Sequence, residues 1–311
     1  MDNQPLVTIN ILSYNRISDL RTTLTKVFEL EYKNIEVIVV DNASLDGSAE
    51  MVKTDFPSVN LIQLKNNIGI AGWNEGFKHA AGKYVLVLDD DSYPGLNAIT
   101  NSVILFEEKK EVQCITFNVI DINTNKMAWA GKWLPEENIN ETLWPVFVGC
   151  AAIFRREIIS NDFMPDYIFI YQHELPPSAK IYNKGGVIWY RKDIIAYHNC
   201  KINMEYRSST DKYLFYNNAV FIVLYLPLIL MPFYLSQSML FFLTRSIKHK
   251  WLIEYLSITK DIIFFYFRYN KHRDPVNYKY FFALRRLYLF NYPLMAKIRY
   301  FNIKRTYTFE R

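Results

Sequence analysis

Three consecutive carboxylates, Asp89, Asp90 and Asp91, close an apolar run of strand length at residues 84–88. Three negative charges in one loop repel one another unless a cation neutralises them, and hard oxygen ligands suit Mg²⁺ or Mn²⁺. Such ions leave part of their coordination shell to substrate phosphates. The motif therefore predicts a divalent-metal site for a phosphate-containing ligand, with a solvated acidic turn as the alternative.

A second feature is the glycine- and asparagine-rich segment 66–76, which reads NNIGIAGWNEG. Glycines let a ligand approach the backbone closely, and the N-terminus of a following helix favours phosphate. The spacing is neither the G-x-G-x-x-G of dinucleotide-binding proteins nor the G-x-x-x-x-G-K-[ST] phosphate loop, which argues against both classes. Polar clusters at 13–16, 41–44 and 89–91 each follow a strand-like run, although any one of them could be an ordinary loop.

The elements that position these residues alternate between strand and helix patterns. The expected strands lie at 6–12, 35–40, 59–64, 84–88, 112–120, 145–154 and 187–197, and the expected helices at 17–30, 48–54 and 71–81. This order predicts a parallel α/β sheet with both faces covered by helices. In such sheets ligands bind beyond the carboxyl ends of the strands, where the polar clusters fall.

Composition divides the 311 residues into two parts. Residues 1–200 hold 18 Lys/Arg against 25 Asp/Glu, a net charge of −7, whereas residues 201–311 hold 18 against 6, a net charge of +12. The two parts are therefore built for different surroundings. Three cysteines without paired short spacing argue against a disulfide scaffold and a zinc knuckle, and the chain opens without a signal-peptide pattern, so we expect a reducing cytosol.

The basic part contains a long uncharged stretch. The 32 residues from Tyr213 to Thr244 carry no charge, which is long enough to cross a bilayer core of about 30 Å. Pro227 and Pro232 would kink a spanning helix, and a single crossing would place the fifteen basic residues of 245–311 outside. Because basic loops prefer the cytoplasm, we expect a peripheral or re-entrant attachment, with a true span or a core or oligomer contact as alternatives.

Several of these motifs occur together, and in the same order, in one known family. Residues 6–91 resemble the family 2 glycosyltransferases in the Tyr-Asn pair after the first strand, the strand ending in Asp-Asn-Ala-Ser, the Gly/Asn segment and the strand ending in Asp-x-Asp. The resemblance continues through 147–156 to Tyr197-His198, about two thirds of the chain. It implies an α/β nucleotide-diphospho-sugar transferase fold of the GT-A type, with a mainly parallel central sheet flanked by helices.

The predicted domain organisation has two parts. The resemblance implies that residues 1–200 form the catalytic domain, with a nucleotide-sugar-binding half at 1–91 and an acceptor half at 92–200. The charge division and the uncharged stretch predict that residues 201–311 form a helical, apolar and basic region that associates with the membrane.

The resemblance also implies an inverting, metal-assisted transfer from a nucleotide-diphospho-sugar donor, with Mg²⁺ or Mn²⁺ as cofactor. Asp41 would contact the base, Asp89 the ribose side, and Asp91 the metal. His198 matches a position near the metal or diphosphate, or is a surface histidine at a strand end. Gly149 borders the donor sugar or forms a plain turn. The matched motifs imply further donor-binding residues, namely Tyr14, Asn15, Arg16, Asn67, Gly72, Asn74 and Asp90.

The acceptor region departs from the family pattern. Many members read Glu-Asp-x-Asp where this chain has His173-Glu174 followed by Pro176. Glu174 alone keeps a carboxylate at the position of the catalytic base. The alternative is that Glu174 is a solvated loop residue. The two prolines that follow it are expected to prevent an ordinary helix start. A Gln-x-x-Arg-Trp motif, which processive members carry, does not occur in the sequence. This indicates a non-processive member, and within the family the chain resembles the rhamnosyltransferase-like members.

The resemblance thus implies a glycosyltransferase of bacterial surface-polysaccharide synthesis, and the charge pattern places it at the cytoplasmic side of the inner membrane. Its acceptor would be a saccharide or a lipid-linked saccharide; no nucleic acid partner is expected, and an oligomer is left open. Two alternatives remain. A nucleotidyltransferase that makes nucleotide sugars would need a Gly-rich loop where residues 13–16 read Ser-Tyr-Asn-Arg. A catalytically inactive, membrane-associated scaffold would keep the fold and a weakened acceptor motif.

Overall fold

The computed structural model describes residues 4–128, 140–200 and 208–287, which belong to two compact units. The first unit, residues 4–128 and 140–200, is built on one ten-stranded sheet with the order β3-β2-β1-β4-β9-β6-β10-β5, while β7 pairs with β6 and β8 with β10. Its strands are β1 (Val7–Ser13), β2 (Ile35–Asp41), β3 (Asn60–Gln63), β4 (Tyr84–Asp89), β5 (Ser92–Pro94), β6 (Val112–Asp121), β7 (Lys126–Met127), β8 (Glu141–Leu143), β9 (Ala151–Arg155) and β10 (Val187–His198). Its helices are α1 (Ile17–Phe28), α2 (Ser48–Asp55), α3 (Trp73–His79), α4 (Ala98–Glu108) and α5 (Leu175–Asn183).

The first four strands of the chain form a parallel block, as the alternation of strands and helices predicts. β1 lies between β2 and β4, and β3 pairs with β2, all in parallel. Side chains of β1 and β2 such as Ile9, Ile11 and Val39 are fully buried, because helices cover the sheet. The predicted α/β fold is confirmed, and the strand bounds agree with the sequence patterns to within one or two residues.

The other half of the sheet is mixed. β9 runs antiparallel to both of its neighbours, β4 and β6, so that β1, β2, β3, β4, β6 and β10 share one direction. The strand expected at 145–154 begins only at Ala151. Residues before it are buried without joining the sheet: the Val148 N–H donates to Thr116 Oγ1 (3.0 Å) and the Ala151 N–H to the Val148 carbonyl (3.2 Å). An apolar run was therefore mistaken for a strand because burial alone gives the same pattern.

Chain direction gathers the polar strand ends at one edge of the sheet. Ser13 is level with Asp41, and Leu12 with Asp89, across the parallel block. In the mixed half, His198 is level with Asp121. The antiparallel strands β9 and β5 begin at this same edge. Residues that lie far apart in the sequence thus share the carboxyl edge, which is where ligands bind in α/β sheets.

The second unit, residues 208–287, is helical: α6 (Ser208–Tyr225), α7 (Met231–Lys248), α8 (Leu252–Tyr269) and α9 (Tyr278–Leu287). Its core is aromatic, and the Phe215 ring stacks on Tyr255 with centroids 4.9 Å apart. The uncharged stretch 213–244 is divided between α6 and α7 by the turn that contains Pro227. None of the described helices has the length and apolar character needed to traverse a bilayer. Residues 201–207 and 288–311 of the predicted membrane-associating region lie outside the described residues.

Candidate active site

The acidic loop after β4 is joined to the loop after β1. Asp90 accepts hydrogen bonds from the Tyr14 N–H (3.1 Å) and from Arg16 Nη1 (3.2 Å), and Arg16 also pairs with Asp91. Thr23 Oγ1 donates to the Asp90 carbonyl at 2.9 Å. Asp90 is almost fully buried, so its carboxylate connects the two loops and holds Arg16 over the cluster.

Asp89, Asp91 and His198 converge at the carboxyl edge. Their ligand atoms lie within 4.8 Å of one another. His198 Nε2 is 3.0 Å from Asp91 Oδ1 and 4.0 Å from Asp89 Oδ2. Two carboxylates and one imidazole are a donor set that a first-row divalent ion such as Mn²⁺ accepts, and carboxylates also suit Mg²⁺. The three residues therefore fit the predicted metal, and the structure brings together the two side chains assigned to it, Asp91 and His198.

Electrostatics in the cluster favour the arrival of a cation. Burial raises the pKa of Asp89 to about 7 and that of Asp90 to about 6, and the charge of Asp91 adds to both shifts. Burial opposes the charged form of His198, but its hydrogen bond to Asp91 and the nearby carboxylates raise its pKa overall. Asp89 keeps 39% of its side-chain surface accessible against 6% for Asp91, so Asp89 is the carboxylate that a ligand reaches first.

The loops after β1 and β2 are held together by short polar contacts. Both carboxylate oxygens of Asp41 lie 3.3 Å from the Ser44 N–H, and the Asn15 N–H donates to Ser44 Oγ at 2.9 Å. Asn15 Oδ1 accepts from the Leu45 N–H at 2.7 Å. Tyr14 is 44% exposed, so its ring is open to a ligand. Asp41, Tyr14 and Asn15 thus lie at the carboxyl edge, as expected.

Residues of the glycine- and asparagine-rich segment make structural contacts inside the protein. Asn67 Oδ1 accepts from the Gly69 N–H (2.9 Å), and Asn42 contacts both the Ile68 N–H and the Gly69 carbonyl. A Cβ on Gly72 would lie 2.5 Å from Leu12 Cδ1. Donor binding by Asn67 and Gly72 stays a prediction; in the structure the Asn67 side-chain oxygen caps a turn, and Gly72 permits close packing on β1.

The same segment anchors the chain around residue 169. The Ile70 N–H donates to the Phe169 carbonyl at 3.0 Å. Gly69 has φ +63°, and a Cβ there would lie 2.1 Å from that carbonyl oxygen. Asn74 Nδ2 donates to the Met164 carbonyl (2.8 Å) and Asn74 Oδ1 accepts from the Met164 N–H (2.9 Å). Both polar atoms of the Asn74 side chain are thus engaged by backbone, and the donor contact of Asn74 stays a prediction.

Replacing Asn74 with alanine should destabilise the chain by about 1–3 kcal/mol, because it leaves two buried backbone groups of Met164 without partners. The measurement is the free energy of unfolding in urea. Asn101→Ala is the matched control, since the Asn101 amide meets Asp193 at the exposed surface. An equal effect of the two substitutions would contradict the anchoring role of Asn74.

The acceptor-side residues meet at the turn before β9. The Gly149 N–H donates to Glu174 Oε1 at 3.3 Å, and His173 Nδ1 lies 3.8 Å from Glu174 Oε2. A Cβ on Gly149 would lie 2.4 Å from His173 Nε2. The structure thus places Gly149 against His173 and Glu174, and a Cβ at this position would force the His173 ring to shift.

The prolines after Glu174 do not prevent a helix. α5 begins at Leu175 with Pro176 and Pro177 in its first turn, and Glu174 is its N-cap residue. The expectation was wrong because first-turn N–H groups have no intrahelical acceptor, so prolines there cost no hydrogen bond. Glu174 is consequently held at the start of an ordinary helix.

Three residues near the site were not among those predicted. Asn42 orients the Ile68–Gly69 backbone, Cys200 Sγ lies 3.1 Å from His198 Nδ1, and His173 lies against Gly149. Asn42 follows Asp41 in a polar strand end, and that position was the available signal. His173 stood out only as a departure from the family pattern.

Comparisons with known proteins agree with this arrangement. A model of glycosyl transferase family 2 matches residues 8–163, half of the chain. An Escherichia coli relative, UDP-Glc:alpha-D-GlcNAc-diphosphoundecaprenol beta-1,3-glucosyltransferase, is 34% identical over 108 residues, which are 34% of this chain and 43% of the relative. The chain thus spans less than half the length of this curated relative.

Two solved structures share the fold at low sequence identity. S. aureus TarS 1–349 in complex with UDP-GlcNAc has a TM-score of 0.54 at 18% identity, over 70% of this chain and 65% of that one. The mannosyltransferase PcManGT from Pyrobaculum calidifontis, in complex with GDP-Man and Mn²⁺, has a TM-score of 0.53 at 18% identity, over 91% and 87%.

Proposed function

The chain belongs to glycosyl transferase family 2, and on that premise we propose that it transfers one sugar from a nucleotide-diphospho-sugar to a hydroxyl group with inversion. The convergence of Asp89, Asp91 and His198 at the carboxyl edge carries this proposal. These residues would hold Mg²⁺ or Mn²⁺, which neutralises charge on the departing nucleoside diphosphate when bound. The solved relatives that hold UDP-GlcNAc or GDP-Man with Mn²⁺ support a donor of this class.

We propose separate roles for residues on the donor side and on the acceptor side of the site. Asp41 and the exposed Tyr14 ring, on the loops after β2 and β1, would contact the nucleoside. Arg16 pairs with Asp90 and Asp91 and brings a positive charge to the place where a diphosphate would lie. Glu174 would act as the base: the Gly149 N–H donates to Oε1, and Oε2 is buried without a hydrogen-bond partner among the described residues.

The acceptor that we propose is a saccharide or a lipid-linked saccharide in bacterial surface-polysaccharide synthesis. The name of the E. coli relative, which specifies a GlcNAc-diphosphoundecaprenol acceptor, supports this proposal. We also propose that the protein transfers one sugar per encounter with its acceptor. The reaction would take place at the cytoplasmic side of the inner membrane.

Release of nucleoside diphosphate from a panel of nucleotide sugars, with Mn²⁺ and a membrane-lipid extract, tests the proposed activity. We expect one donor to be turned over faster when the extract is present. A nucleotidyltransferase would instead release pyrophosphate from a nucleoside triphosphate and a sugar phosphate. An inactive scaffold would do neither, and that outcome would reject the proposal.

We also propose that the second unit docks on the surface of an anionic membrane. α8 buries Tyr255, Ile262 and Phe265 on one side, yet a second apolar stripe faces solvent. This stripe consists of residues at helical spacing that are 53–83% exposed, namely Ile253, Leu256, Ile263, Phe264 and Phe267.

Charge supports a lipid partner for this stripe. Residues 208–287 contain 11 Lys/Arg and 4 Asp/Glu, a net charge of +7, and Lys260 and Arg268 lie on α8 itself. Basic residues beside an exposed apolar stripe are typical of helices that lie in the plane of a membrane surface. Attachment in that plane is consistent with the absence of a bilayer-crossing helix among the described residues.

Leu256→Glu should reduce binding of the full chain to vesicles of phosphatidylcholine and phosphatidylglycerol by at least about tenfold, because a buried leucine contributes about 1.5–3 kcal/mol. The measurement is flotation with the vesicles. Thr22→Glu is the control, since it adds the same charge at an exposed helical position of the first unit, away from the stripe. Salt should weaken binding only in part, since screening acts on charge and not on apolar burial. Equal flotation of the two variants would reject the stripe as the docking surface.

A further inference from the structure

Both ring nitrogens of His198 lie against other side chains. Nε2 is 3.0 Å from Asp91 Oδ1 and faces the candidate metal site. Nδ1 is 3.1 Å from Cys200 Sγ, within hydrogen-bonding distance. The His198 side chain is only 12% exposed, so water has little access to the ring. The thiol therefore contacts His198 through the nitrogen that does not face the carboxylates.

We propose that Cys200 is a positioning residue of the metal site: its sulfur holds Nδ1 of His198 and so presents Nε2 to the divalent ion. The inference rests on the metal-assisted transfer proposed above and adds a residue outside the ligand set. Among the described residues, the cluster that could bind an ion consists of Asp89, Asp91 and His198 and does not include Cys200.

The chemistry of imidazole requires a partner at this nitrogen. A histidine binds a metal through a lone pair, so the proton of the neutral ring lies on Nδ1 when Nε2 is the ligand. In metal sites that N–H is almost always donated to an outer acceptor, which fixes the tautomer and the orientation of the ring. The Cys200 sulfur is in place to accept it.

A thiol suits this position because it can both donate and accept a hydrogen bond. Without an ion, neutral His198 can donate its Nε2–H to Asp91, and Nδ1 can then accept the S–H of Cys200. With Nε2 used as a ligand, the ring proton lies on Nδ1 and is donated to the sulfur. Cys200 can therefore hold His198 in both tautomers, whereas a backbone carbonyl could only accept.

The backbone keeps Cys200 beside the ring. Its N–H donates to the His198 carbonyl at 3.0 Å, which closes a three-residue turn at the end of β10. The Asn199 N–H donates to the Asp91 carbonyl (2.9 Å), and Asn123 Nδ2 donates to the Cys200 carbonyl (3.3 Å). Both residues after His198 are thus tied to neighbouring loops, one to the acidic loop and one to the turn after β6. Support of this kind orients a ligand side chain before its ion arrives.

Binding of Mn²⁺ to the full chain, measured by electron paramagnetic resonance without donor or acceptor, tests the inference. Cys200→Ala removes the sulfur and should weaken Mn²⁺ binding about tenfold, the lower end of the usual effect of losing an outer partner of a metal-binding histidine. Cys200→Ser keeps a group that donates and accepts, so it should retain most of the affinity. Cys114→Ala removes a thiol from within β6 and is the control; it should leave Mn²⁺ affinity unchanged.

The pulsed form of the same measurement detects a histidine nitrogen bonded to Mn²⁺, which a merely structural role of Cys200 would not affect. We expect this nitrogen signal in the wild type and in Cys200→Ser. It should be reduced in Cys200→Ala, because the ring is no longer held in its binding orientation. His198→Gln should abolish the signal and so identifies its source.

An unchanged Mn²⁺ affinity or an unchanged nitrogen signal in Cys200→Ala would overturn the inference. So would a loss of affinity in Cys200→Ser as large as that in Cys200→Ala, or no Mn²⁺ binding by the wild type. Failure of the transferase proposal has a different signature: no donor releases nucleoside diphosphate, while the effects of Cys200→Ala on Mn²⁺ binding persist.

Discussion

Asp91→Ala should abolish sugar transfer, with a loss of at least about 10³-fold, because a divalent ion contributes several kcal/mol to a transition state in which a diphosphate departs. Asp91 is bracketed by His198 Nε2 at 3.0 Å and by Arg16, so its carboxylate is the centre of the acidic cluster. The chain should stay folded, since Asp91 belongs to a loop at the sheet edge and not to the apolar core. Donor turnover and binding of Mn²⁺ observed by electron paramagnetic resonance are the measurements.

Asp55→Ala provides the matched control for that variant. Asp55 is also an aspartate paired with an arginine, Arg21, but it lies on the exposed surface of α2. It should bind Mn²⁺ and turn over donor as the wild type does. Full activity in Asp91→Ala, or undiminished wild-type activity in excess EDTA, would exclude the metal role.

Glu174→Gln should lower acceptor-dependent turnover by about 10²–10⁴-fold, the usual scale for loss of a general base. The glutamine side-chain oxygen can still accept the Gly149 N–H, but the amide cannot take a proton. Affinity for the nucleoside diphosphate should be nearly unchanged, because the proposed nucleotide contacts lie on the loops after β1, β2 and β4. Turnover and calorimetric affinity are measured on the same preparation.

Glu157→Gln serves as the control, since Glu157 is an exposed glutamate of the same unit. Wild-type turnover in Glu174→Gln would move the role of base to another residue, with Asp166 and His173 next to be tested. Joint loss of turnover and nucleotide affinity would mean that Glu174 shapes the donor site instead.

The parallel block could be predicted from the sequence because its signals are local. Short apolar runs bounded by polar residues predict these strands, and the acidic loop follows directly from the end of β4. The antiparallel insertion of β9 between β4 and β6 could not be predicted in this way, since strand pairing depends on partners distant in the chain. The strand predicted at 145–154 begins six residues later, at Ala151, because the apolar residues before it are buried without being in a strand.

The candidate site shows the same division. Asp89 and Asp91 are two positions apart, so their convergence was available from sequence, whereas His198 was placed beside them only by the family resemblance. The structural contacts of the glycine- and asparagine-rich segment could not be predicted from its residue types. Asn74 and Gly69 have the residue types of a ligand-binding loop, but they hold backbone near Met164 and Phe169, some ninety to a hundred residues away.

Pro176 and Pro177 have a consequence for the reactivity of the residue before them. At a helix start, the side chain of the N-cap residue normally accepts hydrogen bonds from the N–H groups of the second and third helical residues. In α5 both of those positions are prolines, which have no N–H, and Glu174 makes no such bond. The helix therefore cannot compete with an incoming molecule for this carboxylate, and a group that would otherwise be consumed in capping remains available for proton transfer.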